Sequence, residues 1–246
     1  MKKIQSLLIL LLFVTGMIHV NGQASVEIEK ANKACKPVFL VAYNANGAEA
    51  EKAFSVASEA KSTLKSSSVI IKMNTTDAAN KELVAKYRLS GAPMPLILVL
   101  DKNGTVTGGL PLKDVTAARL VEMIPTPKTS ELLKAINDGK SVYLVVYKES
   151  MTSHDKAMDN CAMACGKMDN KSMTVKIDMD DRKEAKLLQT LKCDLSAKEP
   201  VTYVISTSGQ IIGTHNGITD VTTLVASAKK APAGGCGTSC APGACK

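Results

Sequence analysis

The chain contains no tryptophan, and only three phenylalanines and five tyrosines among its 246 residues. Few rings are available to stack on bases, and no long run of Lys or Arg occurs. A nucleic-acid footprint is therefore excluded, and the formal charge of +8 reads as ordinary solvated surface. No Walker loop, dinucleotide fingerprint, HExxH or Ser/His/Asp set is present, which removes the enzyme classes that those motifs mark. Past the first 22 residues, no apolar run is long enough to cross a bilayer. Cysteine is missing from the whole stretch 36–160, although the chain has seven.

What is present begins with a leader. Lys2 and Lys3 precede the apolar run Ile4 to Val20, and the small residues Gly22 and Ala24 offer cleavage sites. Residues 1–22 are expected to be a Sec signal peptide. No cysteine follows the run closely enough to make a lipid anchor. The short MKK start points to a bacterium, hence to a periplasmic or extracellular protein without a membrane anchor. That compartment is oxidising, and seven is an odd number, so at least one thiol is free, metal-bound or paired between chains.

The body of the chain says the same thing twice. PLILVLDKNG (95–104) matches PVTYVISTSG (200–209), each a proline, an apolar strand and a Gly turn. KPVFLVAY (36–43) matches KSVYLVVY (140–147), and IKMNTTD (71–77) matches VKIDMDD (175–181). Two copies of one fold are expected, over 23–125 and 126–230. Each reads as helix, strand, long helix, strand, helix, hairpin, helix. In the first copy these are 25–34 (started by Ser25), 38–43, 48–65, 68–74, 77–88, 96–100 with 105–108, and 113–124 with Asp114 as candidate cap. In the second they are 130–138, 142–147, 153–168, 173–178, 182–192, 201–206 with 210–214, and 219–229. PTPK (125–128) reads as a linker. From Ala231 the chain becomes APAGGCGTSCAPGACK, too poor in apolar bulk to pack as a domain.

This element order resembles the thioredoxin fold, and the proline opening a strand that ends in D-K-N-G is similar to the thioredoxin family's pattern. The resemblance covers nearly all of the chain between leader and tail. The fold class it implies is α/β: two tandem thioredoxin-like domains, each a mixed sheet flanked by helices, with a flexible Cys-rich tail. It also implies cis bonds at Met94–Pro95 and Glu199–Pro200, with Pro93 a competing candidate for the first.

In that family C-x-x-C sits between the first buried strand and the long helix, where the helix N-terminus stabilises a thiolate. The matching slots here are Gly47-Ala48-Glu49-Ala50 and Met151-Thr152-Ser153-His154. Neither holds a thiol. The family's preceding Trp is Asn46 and Ser150, and its buried acid is Val41 and Val145. Both copies are expected to be redox-inactive at these slots.

Sulfur collects elsewhere. His154, Met158, Cys161, Cys165 and Met168 form one helical stripe, a set that suits Cu(I). The first copy has Ala50, Phe54, Ala57, Lys61 and Leu64 at those positions, so a core stripe is the favoured reading. Cys193 replaces Leu89 and is expected in the core. Cys35, Cys165, Cys236, Cys240 and Cys245 remain as thiol or disulfide candidates, and the last three as a candidate metal set. His154 is either a ligand or acid–base group or, more blandly, a first-turn polar residue.

The leading expectation is a non-catalytic module that binds an unidentified protein or peptide without a cofactor. Its groove residues would be Met94, Pro95, Met151, His154, Glu199 and Pro200. The alternatives are a thiol–disulfide oxidoreductase or relay working through the tail cysteines, and soft-metal handling of Cu(I) or Zn.

Overall fold

The structure is a computed structural model that describes residues 22–64 and 67–230. The signal-peptide expectation, Gly22 excepted, and the tail candidates Cys236, Cys240 and Cys245 lie outside the described residues.

The first half runs α1 (Gln23–Lys33), β1 (Val38–Tyr43), α2 (Ala48–Thr63), β2 (Val69–Asn74), α3 (Lys81–Lys86), β3 (Leu96–Leu100), β4 (Val106–Pro111) and α4 (Ala117–Glu122). The second runs α5 (Pro127–Asn137), β5 (Ser141–Tyr147), α6 (His154–Gly166), β6 (Ser172–Asp178), α7 (Ala185–Thr190), β7 (Val201–Ile205), β8 (Ile211–Asn216) and α8 (Val221–Ala228). The two sheets have the orders β2-β1-β3-β4 and β6-β5-β7-β8. In each, the first strand of the half pairs parallel with the second and antiparallel with the third. The last strand closes an antiparallel hairpin. Each half is therefore a thioredoxin-like domain.

The near-continuous apolar runs of β1 and β5 follow from burial on both sheet faces. Val38, Leu40 and Ala42 pack with Ile28 of α1 and Leu83 of α3. Phe39 and Val41 point the other way, onto Ala53 and Ala57 of α2 and Leu120 of α4. The second domain repeats this. Val142, Leu144 and Val146 meet Leu132 and Leu187, whereas Tyr143 and Val145 meet Cys161, Ala164 and Leu224. The hairpin turns also match by role. The buried Asp101 carboxylate accepts from Asn103 N–H (2.8 Å) and Thr105 N–H (2.9 Å), and Ser206 Oγ accepts from Ser208 and Gln210 N–H in the twin.

Several sequence expectations need correction. α1 starts at Gln23, and the Gly22 carbonyl, not Ser25, caps it by accepting from Ser25 N–H (2.9 Å) and Val26 N–H (3.3 Å). The helices expected over 77–88 and 182–192 each split into a 3-10 turn capped by Asp77 or Asp181 and a short α-helix. Arg88 and Lys192, with φ of +53° and +52°, end those helices. Thr116 caps α4 in place of Asp114, because its Oγ is the one that accepts from Arg119 N–H. PTPK is not a free linker: Thr126 caps α5 and Pro127 opens it, the position at which a missing N–H costs nothing. Met94–Pro95 is cis as expected, but Glu199–Pro200 is trans. The loop from Cys193 to Pro200 is one residue longer than that from Leu89 to Pro95, which gives the ordinary trans form a route into β7.

One pseudo-equivalent pair separates the domains. Glu184 is buried, and its carboxylate accepts from Thr126 Oγ (2.5 Å) and Lys128 N–H (3.0 Å) at the start of α5. Its counterpart Asn80 is also buried and donates to the Asn74 carbonyl (2.9 Å), but its Oδ1 has no hydrogen-bond partner among the described residues.

Candidate functional site

The slot of the first domain is the turn between β1 and α2. Asn46 to Glu49 are exposed, and Ala50 turns into the core. Gly47 precedes the helix with φ 155° and ψ −173°, a backbone conformation that favours glycine, although a Cβ placed there would meet nothing within 4 Å. Facing it are Pro93, Met94 and the buried Pro95 at the start of β3. Between them lies a cleft of about 500 Å³, lined by Glu49, Lys52, Val56, Met94, Leu112 and Lys113 among others. Its lining mixes the apolar Val56, Met94 and Leu112 with the charged Glu49, Lys52 and Lys113. Met94's backbone N–H and carbonyl make no hydrogen bond among the described residues.

The slot of the second domain has closed on itself. Met151 is buried at 4% exposure, and Lys148 N–H donates to its sulfur at 3.3 Å. It belongs to the core, not to a groove. Ser153 Oγ donates to the Glu199 carboxylate, which joins the start of α6 to the residue before Pro200. His154 is only 14% exposed and stacks on Tyr147, with ring centroids 5.3 Å apart and planes 9° from parallel. Its Nδ1 lies 2.5 Å from the Met151 carbonyl. A carbonyl only accepts, so that nitrogen carries the proton and Nε2 faces Asp155 (3.2 Å) and Glu149 (3.7 Å). The structure thus brings Ser153, His154 and Glu199 together with Tyr147 and Glu149. The sequence reading missed the last two. The matching Tyr43 and Tyr147 at the strand ends carried a signal for the ring, but the acid had none.

The thiols divide by burial. Cys161 is fully buried, and desolvation pushes its thiol up to about 11 although Thr202 hydrogen-bonds to it. With Met158 it packs against the sheet face, as the stripe predicted. Cys165 is half-buried, 3.4 Å from Thr174 Oγ. Cys193 is half-buried, and desolvation raises its thiol too. Cys35 is exposed. None of the four is at a helix N-terminus, where a thiolate would be stabilised.

A second depression of about 540 Å³, lined by Met179, Leu188, Cys193 and Leu195, lies beside α7. It is more apolar than the cleft, and the start of α7 at Ala185 lines it, but it includes no residue of either slot; the cleft, which adjoins the slot of the first domain, is the better candidate. Among the described residues, no group of three or more His, Cys, Asp or Glu side chains is spaced to hold a metal ion. No helix there is long and apolar enough to cross a membrane.

No protein-family model matches this chain, and no curated protein matches it. Among solved structures it is similar to the first two thioredoxin domains of Saccharomyces cerevisiae Eps1p, at 11% identity over 83% of this chain and 95% of that one, with a TM-score of 0.30. It is similar to the zinc-bound form of human ERp44, at 9% identity over 81% of this chain and 55% of that one, with a TM-score of 0.35. It is also similar to the NTD_N/C domain of the alkylhydroperoxide reductase AhpF from Enterococcus faecalis, at 16% identity over 82% of this chain and 98% of that one, with a TM-score of 0.26. By its own element and strand order, this chain is a tandem pair of thioredoxin-like domains without a C-x-x-C at either slot.

Proposed function

We propose that the chain is an exported, non-catalytic binding module whose first domain receives an extended peptide segment of a protein partner. The observation that carries this is the open cleft beside Met94, where a backbone N–H and carbonyl have no partner among the described residues and lie next to Val56 and Leu112. An extended chain can add its own backbone groups there and set one side chain onto Val56 and Leu112. Lys52 and Lys113 in the lining favour an acidic residue beside it. The slot supplies no nucleophile, so binding ends in release and not in exchange. The second domain, with Ser153 tied to Glu199, is the scaffold partner.

The test is to pan a random peptide library on the full chain and titrate the selected peptides by fluorescence. Val56→Trp, which fills the cleft, is expected to weaken them by about tenfold or more, roughly 1.4 kcal/mol. Glu199→Ala releases Ser153 and is expected to add a second, weaker site. Peptides that bind Val56→Trp as tightly as the parent, or no selected peptide at all, overturn the reading.

A further inference from the structure

Three Asn–Gly pairs lie within the described residues: Asn46–Gly47, Asn103–Gly104 and Asn216–Gly217. All three asparagines are exposed. In such a pair the glycine's backbone nitrogen attacks the asparagine Cγ, the ring closes to a succinimide, and ammonia leaves. Water then opens the ring to aspartate or isoaspartate, so the only co-reactant is water. Glycine permits the attack because it has no Cβ and a free backbone. What remains to decide the rate is whether the attacking N–H is available.

The three pairs differ at that atom. Gly104 N–H donates to the Asp101 carbonyl at 3.0 Å, and the Asn103 amide is itself held by the Asp101 carboxylate at 3.2 Å. Gly217 N–H donates to the Pro200 carbonyl at 2.7 Å. Gly104 and Gly217 sit in turns at φ of +77° and +68°, whereas Gly47 has φ of +155°. Gly47 N–H has no acceptor among the described residues, and nothing lies within 4 Å of where its Cβ would be. Only its carbonyl is engaged, by Glu51 N–H at 3.1 Å.

We propose that Asn46 is a site of spontaneous deamidation in the folded protein, selected by the free N–H of Gly47. The product matters because of where it forms. Asn46 immediately precedes the cap of α2, so the change places a carboxylate at a helix N-terminus, where the dipole favours it. It also adds one negative charge to the slot turn on which Glu49 and Lys52 line the cleft, and isoaspartate lengthens the main chain there by one methylene. The inference stands whether or not the cleft binds peptide.

The experiment is peptide mapping by mass spectrometry of the full chain held in mildly alkaline buffer, folded and in strong denaturant. In the folded protein Asn46 is expected to convert about tenfold faster than Asn103 or Asn216, the factor that corresponds to about 1.4 kcal/mol. In denaturant the three rates are expected to converge, and Gly47→Ala is expected to slow Asn46 in both conditions. Folded-state conversion of Asn103 or Asn216 at the rate of Asn46 overturns the proposal. So does an Asn46 that is stable in the folded chain but converts in denaturant.

Discussion

The two domains share their sheets and differ at their slots. Around β1 the slot is an open turn above a cleft; around β5 the same turn is filled by Met151 and tied across by Ser153 and Glu199. The first domain leaves the Asn80 Oδ1 without a partner among the described residues, whereas the second uses Glu184 to hold Thr126 and Lys128. Among the described residues, buried side-chain atoms without a hydrogen-bond partner are Asn32 Oδ1, Ser68 Oγ, Asn80 Oδ1 and Tyr87 Oη in the first half, and Ser172 Oγ in the second. Under the proposed function, the open half would bind and the tied half would support it.

The largest test of this comparison is in the core. Phe39 and Tyr143 occupy the same place, but Tyr143 donates from its hydroxyl to the Leu224 carbonyl at 3.3 Å. Replacing either by Ala is expected to destabilise its own domain by about 3–5 kcal/mol in urea denaturation. Tyr143→Phe should lose only about 1 kcal/mol, and Phe39→Tyr more, since its hydroxyl gains no evident partner. Equal effects of those two exchanges would mean that the bond to Leu224 contributes nothing.

Alkylation of the native protein gives the next effect. With its thiol pushed up to about 11, Cys161 exposes roughly a hundredth of the thiolate of an ordinary cysteine, and burial slows it further. Cys35 is expected to react first among the four described thiols and Cys161 last, read by timed labelling and mass spectrometry. The third effect is at the domain junction. Glu184→Ala is expected to cost about 1–3 kcal/mol, because it strands Thr126 Oγ and Lys128 N–H. Asn80→Ala should cost less, since half of that amide is already unpaired. Equal losses would remove the distinction between the two helix starts.

The smallest effect is a pH dependence confined to the second domain. Burial and, secondarily, Lys230 hold the His215 pKa below its usual value. A depressed histidine pKa favours the neutral ring in the folded state. Its contribution is present above the unfolded pKa of about 6.5 and is lost as pH falls through the lower folded value. His215→Gln is therefore expected to flatten the stability loss below pH ~6.5 by less than about 1 kcal/mol.

Most of the fold was legible because it is carried by periodicity and repetition. The alternation of Phe39 and Val41 with Val38 and Leu40 requires two covered faces, and the match with Tyr143 and Val145 requires it twice. Helix starts were misread where the cap is a backbone carbonyl, as at Gly22, or a neighbour's hydroxyl, as at Thr116. Neither leaves a mark distinct from Ser25 or Asp114 in sequence. The absent C-x-x-C was plain. The Ser153–Glu199 contact was not, because its partners lie far apart in the chain and meet only once β7 is laid beside β5. Burial of Met151 was hidden for a similar reason: the turn folds it inward, and methionine composition says nothing about direction.

Cys35 adopts φ of +52° at the end of α1, where its twin Gly139 adopts +73°. A side chain in that left-handed conformation costs about 1–2 kcal/mol that glycine avoids. The turn therefore holds a solvent-facing thiol at a fixed point before β1, while the cleft lies just past the strand's far end, roughly 20 Å away for six residues. That geometry makes Cys35 a built-in attachment point for a spectroscopic label, close enough to sense an occupant of the cleft and too far to obstruct it.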